Sequence, residues 1–269
     1  MAQQEAPLLP AERHRRIQEF LDDRHVVRVS SLSDLLGVSE VTVRRDLEAL
    51  ERRGLLERIH GGAVGARRMR SEPRYLEAMT THPEEKRLIG MAAASVVEPG
   101  DTLFLNGGTT TLEVFRHLQA SNVRVVTNHV GIAVESAERE VDVILVGGHY
   151  RAPSNSLVGP FATDNLRRVT ASGAFIGAEG VSRPSGLTTP SPVEAEIARL
   201  MIERTRGEVI VVADHSKMGT VADFVIAGLD RVDRLITDGG IDAEYRAGLA
   251  EAGIEVTIAD QPAPAGWGR

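Results

Sequence analysis

At 269 residues, 42% of them hydrophobic and 26% charged, the chain has the size and composition of a globular protein with one small and one medium domain. It has no cysteine and no apolar run near the roughly 18 residues of a membrane span, which excludes disulfides, thiolate nucleophiles, cysteine metal sites and a spanning helix. The net charge of −7 is unevenly divided, +2 over residues 1–70 (13 Lys+Arg, 11 Asp+Glu) and −9 over the remainder (18 and 27), so only the N-terminal part suits a polyanion.

The short acidic stretch around Leu8-Leu9 is unlike the basic, long apolar segment of a secretory signal, and a cytoplasmic location is expected. From about Ala11, Ile17, Phe20 and Leu21 mark a first helix. Leu32, Leu35 and Leu36 recur at i, i+3, i+4 and predict a second, with Ser31 as N-cap and Asp34 adding negative charge to its first turn. Gly37-Val-Ser39 then separates two helices. Glycine supplies the permissive backbone, Val38 fills the angle between them and Ser39 caps the next. In that third helix Val43, Leu47 and Leu50 make one buried stripe. At about 100° per residue, Val41, Thr42, Arg44, Arg45 and Glu48 cover the outward side, with Arg45 nearly opposite the stripe. Such an arginine can hold a phosphate or the O6/N7 edge of guanine, and Val41 can touch a thymine methyl. Arginines on a helix are also commonly a solvated face. Three helices with a tight turn before the arginine-bearing one give the layout of a helix-turn-helix.

Leu55–Ile59 reads as a strand pairing with Val26–Val29, His60-Gly61-Gly62 as the hairpin tip and Ala63-Val64 as the return, which makes a winged helix. The expected partner is double-stranded operator DNA. The helix start, with Ser39, Val41, Thr42, Arg44 and Arg45, enters the major groove, and the wing, with Arg58 and His60, touches backbone or minor groove. One copy neutralises few phosphates, so a dimer or tetramer is expected.

Residues from about Glu12 to Arg67 resemble the DNA-binding domain of the DeoR family of bacterial transcription regulators. The resemblance is carried, in order, by Arg13-His14, Leu36-Gly-Val-Ser39, Thr42-Val-Arg-Arg-Asp-Leu47, Gly54-Leu55-Leu56 and His60-Gly-Gly-Ala63. A winged helix-turn-helix over residues 12–67 is therefore the first domain.

Residues 68–82 are polar, lack apolar periodicity and read as a linker. The basic cluster Arg67, Arg68 and Arg70 at the boundary between the first domain and this linker is a solvated run or a further DNA contact. A second domain spans residues 83–260. It opens with a helix containing Leu88, Ile89 and Met91–Ala94 and a turn at Glu98-Pro-Gly-Asp101. Short apolar runs follow at Thr102–Leu105, Val123–Thr127, Val141–Val146, Ala174–Gly177, Val209–Ala213, Arg234–Thr237 and Glu255–Ile258. Helical patterns lie between most of them, at Thr110–Leu118, Glu194–Arg206 and Ala243–Ala252. This alternation predicts an α/β domain with a mostly parallel sheet between helix layers. The Gln261–Arg269 tail, rich in Pro, Ala and Gly, reads as disordered.

In such sheets ligands gather beyond the carboxyl ends of the strands. After the first strand comes Asn106-Gly107-Gly108-Thr109-Thr110-Thr111, opening a helix. Glycines admit a ligand to the backbone, helix-start N–H groups favour an anion, and three hydroxyls add hydrogen bonds, so phosphate suits this loop. A merely capped strand-to-helix turn is the alternative reading. Neither a Walker loop nor a G-x-G-x-x-G spacing occurs, which disfavours nucleotides. Other strand ends supply Thr127-Asn128, Gly147-Gly148, Gly177-Ala-Glu179-Gly180 and Asp214-His-Ser-Lys217, and Thr188 lies in a loop before the Glu194 helix. Lys217 suits phosphate or a sugar hydroxyl, unless it is an ordinary surface lysine. His215 reads as a packing neighbour, and Glu179 and Asp214 as groups that satisfy backbone amides or orient Lys217.

These stretches, with Glu84-Glu-Lys86 and Val158-Gly-Pro160, are similar to the C-terminal sensor domain of DeoR regulators, itself similar to ribose-phosphate isomerases and glucosamine-phosphate deaminases. The resemblance implies a phosphorylated sugar or related metabolite as effector and, most often, repression of a carbohydrate-utilisation operon. One departure is Asn106, where many members carry Asp. Asn cannot abstract a proton but can donate to a hydroxyl. No catalytic residue, cofactor or metal ligand is assigned. The alternative is a sugar-phosphate isomerase or deaminase, with Glu179, Glu194 or Asp214 as base. An architectural DNA protein without effector leaves the glycine-rich strand ends unexplained.

Overall fold

The computed structural model describes residues 9–24, 26–53, 55–59, 61–65, 67–68 and 72–259. His60 of the expected wing, Arg70 of the basic cluster and the Gln261–Arg269 tail lie outside the described residues.

The chain begins with α1 (Pro10–Arg24), β1 (Val26–Arg28), α2 (Val29–Leu36), α3 (Glu40–Glu51), β2 (Leu56–Ile59) and β3 (Gly62–Gly65). Ile17, Leu32, Val43, Leu47 and Leu50 meet in one buried cluster with Leu56 and Ala63, so the helical stripes read from the sequence do face a common core. Gly37 ends α2 in the left-handed conformation, and the Ser39 hydroxyl accepts from the Thr42 N–H at 3.3 Å to cap α3.

Two local expectations are corrected. Ser31 does not cap α2, which starts at Val29 after Arg28. With that earlier start the buried stripe runs Val29, Leu32, Leu36, and Leu35 turns outward, 45% exposed. The strand at Leu56–Ile59 does not pair with Val26–Arg28; β3 lies between them, antiparallel to both, in the order β1-β3-β2. Gly62 permits this insertion, because a Cβ there would stand 2.1 Å from the Val27 carbonyl oxygen.

An element that hydrophobic patterning does not reveal holds α1 to α3. Asp46 is buried on α3, and its carboxylate accepts from Arg13 Nε at 2.7 Å and Arg13 Nη2 at 3.0 Å and bonds His14 Nε2 at 3.0 Å.

The rest of the chain runs β4 (Arg67–Arg68), α4 (Tyr75–Thr80), α5 (Pro83–Ala94), β5 (Thr102–Leu105), α6 (Thr109–His117), β6 (Arg124–Thr127), α7 (Val130–Glu135), β7 (Asp142–Leu145), β8 (His149–Arg151), β9 (Ser156–Val158), α8 (Pro160–Leu166), β10 (Gly173–Ile176), β11 (Gly180–Ser182), β12 (Gly186–Thr189) and α9 (Pro192–Glu203). It ends with β13 (Val209–Val212), β14 (Thr220–Val221), β15 (Phe224–Ala227), β16 (Arg234–Thr237), α10 (Ala243–Glu251) and β17 (Glu255–Ile258). All seven apolar runs join one parallel sheet in the order β17-β16-β13-β10-β5-β6-β7. Alternate side chains point to opposite cores. Leu103, Leu105, Phe175 and Ile210 pack with α5, α6 and α7. Phe104, Ile176 and Val211 pack with α8, α9 and α10.

The stretch read as a plain linker carries structure of its own. β4 pairs in parallel with β14, and α4 lies against the sheet domain. Ile59 of β2 is buried in the cluster that contains Tyr245 and Leu249 of α10, so the winged domain also touches the second domain directly.

Replacing Asp46 with Ala would strand a largely buried guanidinium, at a cost of about 3 kcal/mol. Hydrogen exchange of the full chain should show α1 and α3 amides opening roughly 100-fold more readily, with β10 and β13 unaffected. Unchanged α3 exchange would mean that apolar packing alone holds the helices.

Candidate functional site

The outward face of α3 presents the residue types that the sequence placed there, in different states of freedom. Val41 is 58% exposed. Arg45 is exposed and makes no ion pair among the described residues. Arg44 reaches Glu40 at 3.0 Å, and Arg58 of β2 reaches Glu48 at 2.9 Å. Exposed pairs of this kind are worth about 0–1 kcal/mol, so a phosphate can displace either. Ser39 is committed as the helix cap, and its hydroxyl also meets the Thr42 hydroxyl at 3.0 Å.

In the second domain the carboxyl ends of β5, β6, β10 and β13 open into one cleft. Asn106, Gly107, Gly108, Thr109, Thr110, Asn128, Glu179 and Lys217 line it, as the sequence reading placed them. Two of these build the site and leave little of themselves for a ligand. Asn106 spends both ends of its amide on Gly177, donating to the carbonyl at 2.9 Å and accepting from the N–H at 2.8 Å. Asn128 accepts from the Gly107 N–H at 2.8 Å and donates to the Leu157 carbonyl at 3.1 Å. The anion-seeking groups that remain are the first N–H groups of α6, which have no partner within the helix.

Lys217 and Lys86 supply the cations. Lys217 Nζ stands 2.5 Å from Glu179 Oε2. Burial disfavours its charge, but Glu179 and Asp214 outweigh this, and its pKa is raised. Lys86, on the buried side of α5, donates to the Ala78 carbonyl at 2.6 Å. Burial pushes its pKa below the ordinary 10.5, against the opposing pull of Asp214. Glu194 completes the lining. Burial raises its pKa, although Ser154, Arg151 and Ser156 favour its charge.

Four residues assigned to the cleft serve the framework instead. Thr111 is fully buried and its hydroxyl donates to the Asn106 and Gly108 carbonyls. The Thr127 hydroxyl donates to the Leu105 carbonyl and accepts from the His129 N–H. The Thr188 hydroxyl accepts from the Ala222 N–H at 3.0 Å, while the next residue, Thr189, lines the cleft. Gly148 allows backbone approach, since a Cβ would stand 2.7 Å from the Val158 carbonyl oxygen.

Asp214 caps its own loop by accepting from the Ser216 N–H at 3.0 Å. His215 bonds Asp238 at 2.7 Å and packs edge-on against His82. Among the described residues no set of three His, Asp or Glu side chains converges as metal ligands.

Lys86, Glu72, Tyr75, Ser154 and Thr189 also line the cleft and were not assigned from sequence. Lys86 had one signal, its place in the Glu84-Glu-Lys86 stretch. Thr189 had another, its place in the Gly186-Leu-Thr-Thr189 stretch, while Glu72, Tyr75 and Ser154 belong to segments with no motif.

The DeoR-like helix-turn-helix domain matches residues 13–68 and the DeoR C terminal sensor domain matches residues 81–239. The chain is 40% identical over 250 residues to the HTH-type transcriptional regulator GlpR of Haloferax volcanii, covering 93% of this chain and 98% of that protein. It is 35% identical over 233 residues to the transcriptional repressor AccR of Agrobacterium fabrum, covering 85% and 90%. A ribose 5-phosphate isomerase A of Methanocaldococcus jannaschii matches 51% of this chain and 55% of its own at 16% identity and a TM-score of 0.38, too distant to bear on function. With both domains matched in order and relatives aligned over most of the chain, the protein belongs to the DeoR family of helix-turn-helix transcriptional regulators.

Proposed function

We propose that the protein represses a carbohydrate-utilisation operon, acts as a dimer or tetramer, and binds its operator according to whether a phosphorylated sugar or related metabolite occupies the cleft. The observation that carries this reading is the meeting of two largely buried lysines, Lys86 and Lys217, with the start of α6 in one cleft of an acidic domain. Phosphate is the anion suited to helix-start N–H groups and paired ammonium groups. The name of AccR supports repression. At the other end of the chain, Val41 and Arg45 on α3 have the exposure that base contact in a major groove requires. A differential affinity of about 2.7 kcal/mol for the two arrangements of the protein shifts operator affinity roughly 100-fold.

One observation favours a second reading, an isomerase or deaminase acting on a sugar phosphate. Glu194 lies in the cleft with a raised pKa, as a proton-abstracting base requires. A DNA-facing helix has no use in that chemistry, and the regulator is the better account. Incubation with phosphorylated aldoses should give no turnover; turnover lost in Glu194→Gln would establish the enzyme instead.

On a promoter fragment from its own locus, Arg45→Ala should lose roughly 10- to 100-fold of specific affinity and keep its response to ligand in thermal unfolding. Loss of ligand response with operator binding intact would reverse the assigned roles.

Anion binding needs Lys86 charged. Its pKa lies below 10.5, so affinity is full at pH values below that lowered pKa and falls as pH rises through it. Calorimetry should find Lys86→Met binding roughly 30-fold weaker at neutral pH, with this first alkaline decline gone. An unchanged pH profile would remove Lys86 from the site.

A further inference from the structure

The connector between the two domains is itself a wall of the cleft. Glu72, Pro73, Tyr75 and Ala78 line it together with Lys86 and Lys217. Polar contacts hold this stretch in place at both ends. At its start the Glu72 carboxylate accepts from both Nη groups of Arg151, and Arg151 also stands 3.6 Å from Glu194. In α4 the Ala78 carbonyl accepts from Lys86 Nζ at 2.6 Å. Tyr75 packs edge-on against His129, with ring centroids 5.4 Å apart. On the side of the winged domain, β4 follows the wing strand β3 closely and pairs with β14, which begins three residues after Lys217.

The groups that would hold an anion are thus the groups next to which the connector is anchored. Lys86 has three N–H donors. It can keep the Ala78 carbonyl and take an anion oxygen at the same time, so occupancy adds a contact across the junction without breaking one. The Glu72–Arg151 pair is largely shielded from water, with side chains 22% and 20% exposed, and holds the other end of the stretch.

We infer that residues 72–82 are part of the effector site. A bound anion locks α4 onto the cleft through Lys86, and occupancy reaches the DNA-facing domain through this strap. The inference rests on the anion-binding reading of the cleft proposed above.

Hydrogen exchange of the full chain with inorganic phosphate as probe separates the two. At saturating phosphate, amides 108–110 at the start of α6 should be protected, and amides 75–80 should slow with them by about tenfold. Without phosphate, Glu72→Gln should speed exchange at 75–80 by about tenfold while β10 and β13 keep wild-type rates, which shows the sheet intact. Protection of 108–110 with no change at 75–80 would overturn the strap and leave the anion cleft standing. No protection at either place would defeat both. Wild-type exchange at 75–80 in Glu72→Gln would show that Arg151 anchors nothing and would also overturn the strap.

Discussion

Asn106 fixes the geometry on which the cleft depends. It sits at the exit of β5, and its amide makes a reciprocal pair with the backbone of Gly177 at the exit of β10. Asn128 ties the following loop to β6 and β9 in the same manner. A buried donor or acceptor left unmade costs about 1–3 kcal/mol, so the loop before α6 is held in one arrangement. That arrangement sets the start of α6, whose first N–H groups have no partner within the helix, in the same cleft as Lys86 and Lys217. It also gives a physical meaning to an amide at position 106. A carboxylate there can accept from the Gly177 N–H but cannot donate to the Gly177 carbonyl.

The two halves of the molecule divide the electrostatic work. The winged domain is close to neutral and carries two exposed arginines on α3, while the sheet domain is acidic overall and places Lys86 and Lys217 inside a cleft. An acidic domain repels a duplex and orients the reading helix toward it. Inside the cleft, burial weakens the hold of Lys86 on its proton, whereas Glu179 keeps Lys217 charged. On the proposed function, an arriving anion meets one cation that is already neutralised and one whose charge is costly, and it relieves the second. The junction between the halves is not a bare tether, since Ile59, β4 and α4 all make contacts with the sheet domain.

Much of this was legible from side-chain patterning. Val43, Leu47 and Leu50 located α3 and its outward face, and β-branched runs located the strands of the parallel sheet, the central five because they are buried on both faces. Pairing order in the wing was not legible, because periodicity places residues on faces and does not say which strand is central; that followed from the absence of a side chain at Gly62. The helix α4 was hidden because six residues carry too little periodicity to register. Hydroxyl residues at strand ends pointed to ligand binding, yet Thr111, Thr127 and Thr188 turn inward to satisfy backbone groups, a choice that residue type alone cannot reveal. Lys86 stood out only within the Glu84-Glu-Lys86 stretch, and its burial appears only once α5 is packed. Asp46 stands in the Thr42–Leu47 motif, while its bonds to Arg13 and His14 appear only once α1 is folded against α3.

The central claim is that the strand-end cleft is an anion site formed by Lys86, Lys217 and the start of α6. A crystal structure of the full chain grown with inorganic phosphate tests it most directly. Phosphate is expected within hydrogen-bonding reach of both Nζ atoms and of the N–H groups of residues 108–110, with Lys217 drawn away from Glu179. An empty cleft in that crystal, with Lys217 still on Glu179 and phosphate bound elsewhere, would contradict it.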